Sequence, residues 1–477
     1  MVIGSGAGAA PAAYVFAKAG LPVVVLERGK KYRSADYTTD RFDYEHAGAP
    51  WERGDDDFSG GPTVQRALGL GGSTLAYQAV SQLPADNVLA KWGLDLSEFK
   101  QDARWVRDFL SISGSSAPDH PLNANSLDFY RAAQKLNWRA RIAPTAILSE
   151  AKAGRSACNR CGACVFGCKP RDKGSADVTW WPEISSLKNV QILTEARVQQ
   201  IQLSDARRAG VVSYTQAGEN KQLRCSAVVL AAGALESPRL LLRSAQAGAE
   251  KGLGNAHVGR NLVASRLASR IVINPKGKNG HSGVPIDILI DEFAEQGIIL
   301  CQGQNLAGIT GPVSLAKIYA RLRGPAGLQA WMSANYEKLA VLAAFSETED
   351  IHDHGLHGTD WNELVLPNAP SPAMHALDQQ KYALLDQWAE ATEAQVFDRG
   401  NAVSEITGAM LRGTCRISRD PNTGAVGSTG LLHGYDNILV CDASVLGRGL
   451  IAHPSLAIQS LSRYFANSYV NKVGAAA

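Results

Sequence analysis

The stretch Met1-Val2-Ile3-Gly4-Ser5-Gly6-Ala7-Gly8-Ala9-Ala10, with Leu21-Pro22-Val23-Val24-Val25-Leu26-Glu27 shortly after it, sets the architecture of the chain. Val2 and Ile3 end a strand, residues 4–9 form a glycine turn, and Ala10 to Ala19 is predicted helical. Leu21 to Leu26 is a continuous apolar run of the kind buried in a parallel sheet. Together these make one βαβ unit. Its first strand is so short that an earlier start or a trimmed end is expected. Between a strand and a helix, Gly4-x-Gly6-x-x-Ala9 has the context of a dinucleotide fingerprint. Gly4 permits the tight turn, Gly6 lets backbone approach a pyrophosphate, and the small Ala9 lets helix pack on strand, while the helix N-terminus supplies partial positive charge. Glu27 ends the second strand, placed to accept from a ribose 2′-hydroxyl and to repel a 2′-phosphate. Gly4, Gly6, Ala7, Glu27 and the adjoining Arg28 form the candidate nucleotide set. A glycine-rich turn in an unrelated α/β protein is the plainer alternative, and the fingerprint alone does not separate FAD from NAD.

With 477 residues the chain is long enough for two or three domains at about 150 residues each. Its 48 Lys+Arg nearly balance 45 Asp+Glu, so there is no electrostatic case for nucleic acid as a partner. Charged residues are only 19% and glycines number 46, a composition suited to a buried, loop-rich cofactor enzyme. The longest apolar stretch, Ala227 to Leu235, is interrupted by Gly233 and falls short of the roughly 18 residues of a membrane span. The N-terminus lacks a basic region, so a secretion signal is not expected. Helical patterns run from Trp105 to about Trp138, broken between Ser113 and Asn125. Strand-like segments occur at Val190–Leu193, Ala196–Gln202, Ala206–Tyr214 and Cys225–Ala231. From about Ser265 to Gly400 the character changes, with helical runs at Val313–Leu322 and Gln380–Gln395 and a polar loop from Glu347 to Trp361, as expected of a second domain inserted into the first.

Further glycine-rich segments carry a resemblance. Gly69-Leu70-Gly71-Gly72-Ser73-Thr74, Gly233-Ala234-Leu235-Glu236-Ser237-Pro238-Arg239-Leu240-Leu241 and Asn255-x-x-Val258-Gly259-Arg260-Asn261-Leu262 occur in that order. Gly413-Thr414-Cys415-Arg416, His433-Gly434-x-x-Asn437-x-x-Val440-x-Asp442-Ala443-Ser444 and His453-Pro454 come after them. In order and spacing these resemble the signatures of the glucose-methanol-choline (GMC) flavoprotein oxidoreductases. The resemblance implies an α/β fold: a Rossmann-like FAD-binding domain, residues 1–95, 172–264 and 411–477, with an inserted α+β substrate-binding domain, residues 96–150 and 265–410. It implies FAD as cofactor, with Gly71, Gly72, Ser73 and Thr74 against the diphosphate and ring and Ala232 and Gly233 in the second signature. Val198 would meet the adenine through its backbone, a role weighed evenly against that of an ordinary strand valine. Asp442 and Ala443 would lie beside the ribityl chain, near His453 and Pro454.

Cys158-x2-Cys161-x2-Cys164-x3-Cys168, with Pro170 just after, packs four thiols too tightly for the two separated pairs of a usual zinc site. The run matches a ferredoxin spacing, which makes an iron–sulfur cluster the leading reading, with two disulfides, zinc or a thiol knot as alternatives. Some GMC dehydrogenases carry a 3Fe–4S cluster near the flavin. By resemblance Cys158, Cys164 and Cys168 fit that pattern, a 4Fe–4S centre stays open, and residues 151–171 form the cluster loop. Cys161 to Cys168, with Asp172-Lys173-Gly174 and Thr179-Trp180, also resembles the long-chain alcohol oxidase branch. Cys225, Cys301, Cys415 and Cys441 read as core residues.

Alcohol oxidation needs a base for the hydroxyl proton, and histidine is best tuned for it near neutrality. In the family a histidine precedes the Gly-Thr of the motif here written Met410-Leu411-Arg412-Gly413-Thr414, and a thioether cannot accept that proton. The second family position is His453, the expected acid/base or orienting group; a buried pocket-shaping histidine is the alternative. Arg412 is a candidate for a positive charge near the flavin or for a carboxylate substrate. His352-x-His354-x-x-His357 reads as a solvated loop rather than a zinc site, one long enough to cover a site. The resulting expectation is an FAD-dependent dehydrogenase acting on a CH–OH group and passing electrons through the cluster to an acceptor protein or a small partner subunit. A non-redox flavin lyase or isomerase and an electron-transfer subunit are the alternatives. Cytoplasm is the default location, with periplasmic co-export beside a partner as the other.

Overall fold

The two-residue strand Val2–Ile3 sits at the centre of a five-stranded parallel sheet, between Val228–Leu230 and Val23–Leu26, with Ile438–Val440 and Val190–Leu193 at the edges. So short a strand holds because it is paired on both sides, with Val2 opposite Val229 and Val25. All of its neighbours are apolar and nearly all are buried, as a sheet covered on both faces requires. Four of the five strands come from positions far apart in the chain, which is why no local window could reveal the sheet. In this computed structural model the chain is described except at residues 38–50, 54–57, 63, 115–118, 245–251, 281, 304–311, 367–368, 399–403 and 475–477.

The helix after the glycine turn is Ala9–Lys18, one residue earlier than predicted. Ala9, Ala10, Ala12 and Ala13 are fully buried, and their small size lets the helix lie close to the sheet and to the helices Trp180–Ser185 and Ser455–Gly474. A Cβ on Gly8 would meet the carbonyl oxygen of Cys441 at 1.5 Å, so Gly8 is the residue of closest packing here, beyond what Ala9 was expected to provide. Beside the sheet, Ala196–Asp205, Arg208–Gln216 and Glu219–Arg224 form a three-stranded antiparallel unit. The third strand is not legible from apolar patterning because it is a polar, mostly exposed edge; its signal is the left-handed pair Ala217 and Gly218 that makes the hairpin turn.

A second, antiparallel sheet runs in the order Gln395–Asp398, Ser265–Ile273, Leu339–Glu347, Ile299–Gly303, Ile288–Ile290 and Ala140–Ile142, with Glu405–Ile406 paired to the start of Ser265–Ile273. Leu339–Glu347 is buried along its whole length because both faces are covered. Ala340, Leu342 and Ala344 pack with Leu384, Leu385 and Trp388 of the helix Pro372–Ala391 and with Phe129 of the helix Ala124–Lys135. The alternate residues Val341, Ala343 and Phe345 pack with Val80, Ile451 and Ala452 on the other face.

The helix Leu96–Phe109, expected with the second unit, packs instead into the core of the parallel sheet through Phe99, Ala103 and Val106. The apolar spacing that marks a helix does not say which core receives it. Among the described residues no helix is long and apolar enough to cross a membrane.

Candidate active site

Four of the five strand ends of the parallel sheet meet at one cavity. Gly4 follows Ile3, Glu27 follows Leu26, Ala231 follows Leu230, and Asp442 lies two residues past Val440; each lines a cavity of about 1330 Å³. Ligands of open α/β sheets bind outside the carboxyl ends of their strands. The opposite wall comes from the antiparallel sheet through Leu267 and Phe345. The volume exceeds the roughly 300–1,000 Å³ of an ordinary small-molecule site, which leaves room for a dinucleotide and a second ligand.

The dinucleotide side is built mostly of backbone. Gly4, Gly6, Ala7 and Gly8 line the cavity where the helix Ala9–Lys18 begins. That helix has no side-chain cap and no acid in its first turn, so its positive end stays available to an anion. Gly72 crosses directly over Gly6: a Cβ on Gly72 would lie 2.7 Å from the Gly6 Cα, and its φ of +53° is left-handed, so the turns approach this closely only with glycine at position 72. Ser73 and Thr74 both line the cavity; Thr74 is the more buried, donates to Gly71 O at 2.6 Å and accepts from Ala176 N at 2.9 Å, so it also ties segments together.

Glu27 is buried, and its carboxylate accepts from Ser5 Oγ at 2.5 Å and from the Gly29 amide at 2.7 Å. Burial pushes its carboxyl above the usual range, against the pull of these hydrogen bonds and of Arg28. Sequence reasoning missed Ser5. Its hydroxyl also accepts from Gly71 N at 3.0 Å, and its carbonyl accepts from Trp181 Nε1 at 2.9 Å, so it joins both glycine turns to the acid. The signal lay in its place between the first two fingerprint glycines. Arg28 and Arg66 pair with Glu236 at 3.5 and 2.8 Å on the same side. Arg197, Val198 and Gln199 line the cavity at a bulge that leaves Gln199 out of the ladder. Asp442 accepts from Gly233 N at 2.9 Å, from Ser237 Oγ, and from Ser444 N at 2.9 Å, fixing the turn that carries Ala232 and Gly233 against the segment that carries Ala443.

At the other end stands His453. It is buried with a φ of +57°, beside Pro454, and lines the cavity. Its ring meets Phe345 edge-on at 5.6 Å, and its Nε2 has no hydrogen-bond partner among the described residues. Burial pushes its pKa down to about 4, so the ring is neutral near pH 7 and offers a lone pair. Its backbone N–H donates to Met410 Sδ at 3.4 Å, and Met410 is itself left-handed at φ +60°. Two facing non-glycine residues in this conformation cost of order 1–3 kcal/mol each, strain that typically collects at functional sites.

Arg412 does not reach the cavity. Its guanidinium is fully buried against the Glu347 carboxylate and donates to Met410 O at 2.9 Å and to Ser265 Oγ at 3.3 Å. It is closed off from substrate, contrary to expectation, because Glu347 and the backbone around Met410 use it. None of residues 347–361 lines the cavity either. In that loop Leu356 and His354 are buried and Gly355–His357 pairs with Glu363–Val365, so it is neither fully solvated nor a cover.

The four clustered cysteines are thiols, with Cys164 and Cys168 buried and Cys158 and Cys161 partly so. Desolvation pushes Cys158 and Cys168 up to about 12 and Cys164 well above its ordinary value. Cys168 Sγ donates to Asp172 Oδ1 at 3.1 Å. A fully buried positive charge in the region is the Lys173 ammonium, which donates to Leu75 O at 2.8 Å, Tyr77 O at 3.2 Å and Cys164 O at 2.6 Å. Among the described residues no three His, Cys, Asp or Glu side chains are arranged to hold a metal ion. As placed, Cys158, Cys161, Cys164 and Cys168 do not come together as the ligand set expected of an iron–sulfur site, and Cys168 is engaged by Asp172. Val165 and Phe166 of this loop nonetheless line the cavity.

Comparison with known proteins agrees with this geometry. The GMC oxidoreductase N-terminal family model matches residues 13–265 and its C-terminal counterpart residues 330–462. The chain is 26% identical to paromamine 6'-oxidase of Streptomyces fradiae, over 96% of this chain and 89% of that protein. It is 23% identical to a long-chain-alcohol oxidase of Arabidopsis thaliana, over 98% of this chain and 66% of that protein. Among solved structures, pyridoxine 4-oxidase from Mesorbium loti shares the fold, with a TM-score of 0.68 at 17% identity and 98% coverage of both chains. A glycine cradle at the strand ends, an apolar wall opposite it and family matches across both halves lead to one conclusion: the chain belongs to the GMC oxidoreductases, enzymes that bind FAD.

Proposed function

We propose that this protein oxidises a CH–OH group of a small molecule, with FAD held by the glycine turns and His453 as the group that takes the hydroxyl proton. FAD when bound supplies a hydride acceptor, so that with loss of the hydroxyl proton R–CH2OH leaves as R–CHO. Gly4, Gly6, Ala7, Gly71, Gly72 and Ser73 would bring backbone to the diphosphate, with Glu27 toward the ribose, Val198 toward the adenine and Asp442 and Ala443 along the linking chain. The observation that carries the reading is the unpartnered, neutral His453 ring on the same cavity as this cradle. A buried polar atom without a partner is costly unless a ligand supplies one. The cavity also excludes bulk water from the ring, which strengthens a hydrogen bond from a substrate hydroxyl.

The two electrons then go to an external acceptor. A relay through an iron–sulfur cluster is left out of the proposal because the thiols do not present a ligand set. Met410 favours a second reading, a non-redox lyase or isomerase, since it removes one of the two polar groups expected beside the substrate. Anaerobic titration of the FAD-loaded protein with alcohols separates the two. Bleaching of the flavin band, slowed about 10²- to 10⁴-fold in His453→Asn at unchanged flavin content, is the expected result. Product formed without any acceptor, or no bleaching by any alcohol, would overturn the oxidation reading.

A further inference from the structure

The wall of the cavity changes character along its length. Its charged members Glu27, Arg28, Arg66, Arg197, Glu236 and Arg243 belong to the parallel-sheet side, where Glu236 already pairs with Arg28 and Arg66. Toward His453 the described wall includes Val80, Leu267, Phe345 and Met410, while Thr407 and Ser455 on the same cavity already donate their hydroxyls to Ala409 O and Val80 O, and Gln78 also lines it. Leu267 and Phe345 face each other across the ladder, and Phe345 and Met410 touch His453 directly. Glu405, opposite Leu267 in the neighbouring pair, is exposed at the rim. Arg412, two residues from Met410, is sealed behind it by Glu347.

We infer that the substrate is an uncharged alcohol whose skeleton beyond the reacting carbon is apolar, an aliphatic chain or an aryl ring, and not a sugar, polyol or amino sugar. This rests on the oxidation reading above. Each methylene buried against such a wall is worth about fourfold in affinity. Each extra hydroxyl buried there without a partner costs roughly fivefold to a hundredfold. A neutral imidazole has one acceptor nitrogen, and the His453 ring lies on the cavity, which matches one hydroxyl. Leu267 and Phe345 are accordingly the specificity-determining residues: both lie on the strand pair that faces the histidine, and neither offers a hydrogen bond.

The test uses the FAD-loaded protein in two arms. Tertiary alcohols from tert-butanol upward have no hydrogen to lose at the carbinol carbon, so their binding is read as a shift of the flavin absorption band. Primary alcohols from ethanol to decanol, benzyl alcohol, glycerol and glucose are read by kcat/KM with an artificial dye. Binding and kcat/KM are both expected to rise about fourfold per methylene over the first several carbons, with glycerol and glucose at least a hundredfold below hexanol. Leu267→Gln, checked for unchanged flavin content, is expected to lower kcat/KM for octanol at least tenfold and to flatten the rise per methylene. Flat chain-length dependence in the binding arm, or preference for glucose or glycerol, would overturn the inference. Graded binding of tertiary alcohols with no turnover of any primary alcohol would sustain the apolar site while sinking the oxidation reading, so the two fail separately.

Discussion

The two ends of the cavity satisfy their polar groups in opposite ways. On the parallel-sheet side almost every polar atom already has a protein partner: Glu27 is held by Ser5 and Gly29, Asp442 by Gly233, Ser237 and Ser444, and Glu236 by two arginines. Facing the antiparallel sheet, His453 Nε2 is buried and unpartnered among apolar side chains. On the proposed function, the difference separates holding from reacting. A site that must keep one large ligand does so with pre-arranged, satisfied groups, while a base must have its lone pair free when the substrate arrives.

Four experiments would break or sharpen this contrast. The largest effect is expected from Gly8→Val, where the new side chain collides with the Cys441 carbonyl. Purified protein should carry essentially no flavin, by the ratio of flavin to protein absorbance; normal loading would show that the helix and the Asp442 segment separate more easily than their packing implies. Smaller, at about 3 kcal/mol, is a pH effect from His453, whose pKa falls from an ordinary 6.5 to about 4 on folding. Below pH 6.5 the unfolded chain binds a proton that the folded one refuses, so stability is full above that value and is lost as pH falls toward about 4. Urea melts across this range should steepen with acid in the native protein and flatten in His453→Asn; equal slopes would mean that the ring is solvated.

At the holding end, Glu27→Gln keeps an acceptor for Ser5 but removes the charge, and should weaken FAD binding about tenfold, measured by flavin fluorescence on titration. An unchanged affinity would move the ribose contact elsewhere. Smallest is Met410→Leu, a volume-conserving change that should cost less than about 1.5 kcal/mol in stability and leave kcat/KM for an apolar alcohol within a few-fold. A large loss of turnover would show that the sulfur does more at His453 than fill space.

The cysteine loop is a third kind of region, where spacing and placement disagree. Four thiols at ferredoxin-like intervals fold beside Lys173, whose ammonium is coordinated by three backbone carbonyls, and Cys168 donates to a carboxylate. Iron and acid-labile sulfide in anaerobically purified protein are the direct check on that disagreement.

Legibility tracks the range of the interactions. The glycine turn, its helix and Glu27 are local, and the close approach at Gly72 leaves a mark because only glycine fits it. Ser5 escapes a sequence reading because its partners are a remote turn and a tryptophan far along the chain. Arg412 is misplaced when its charge is read without Glu347, which lies on a different strand. Leu96–Phe109 falls to the wrong core because its apolar face carries no address.

By itself the sequence determined the family and the glycine turn with its helix, since these rest on local motifs and on backbone approaches that only glycine permits. Only the tertiary structure decided that Phe345 and Met410 meet His453, with Leu267 opposite Phe345, that Arg412 is shut away from the cavity, and that the four thiols do not form a ligand set. Those are outcomes of burial and of pairing between distant segments, and burial changes what a side chain does without changing its name.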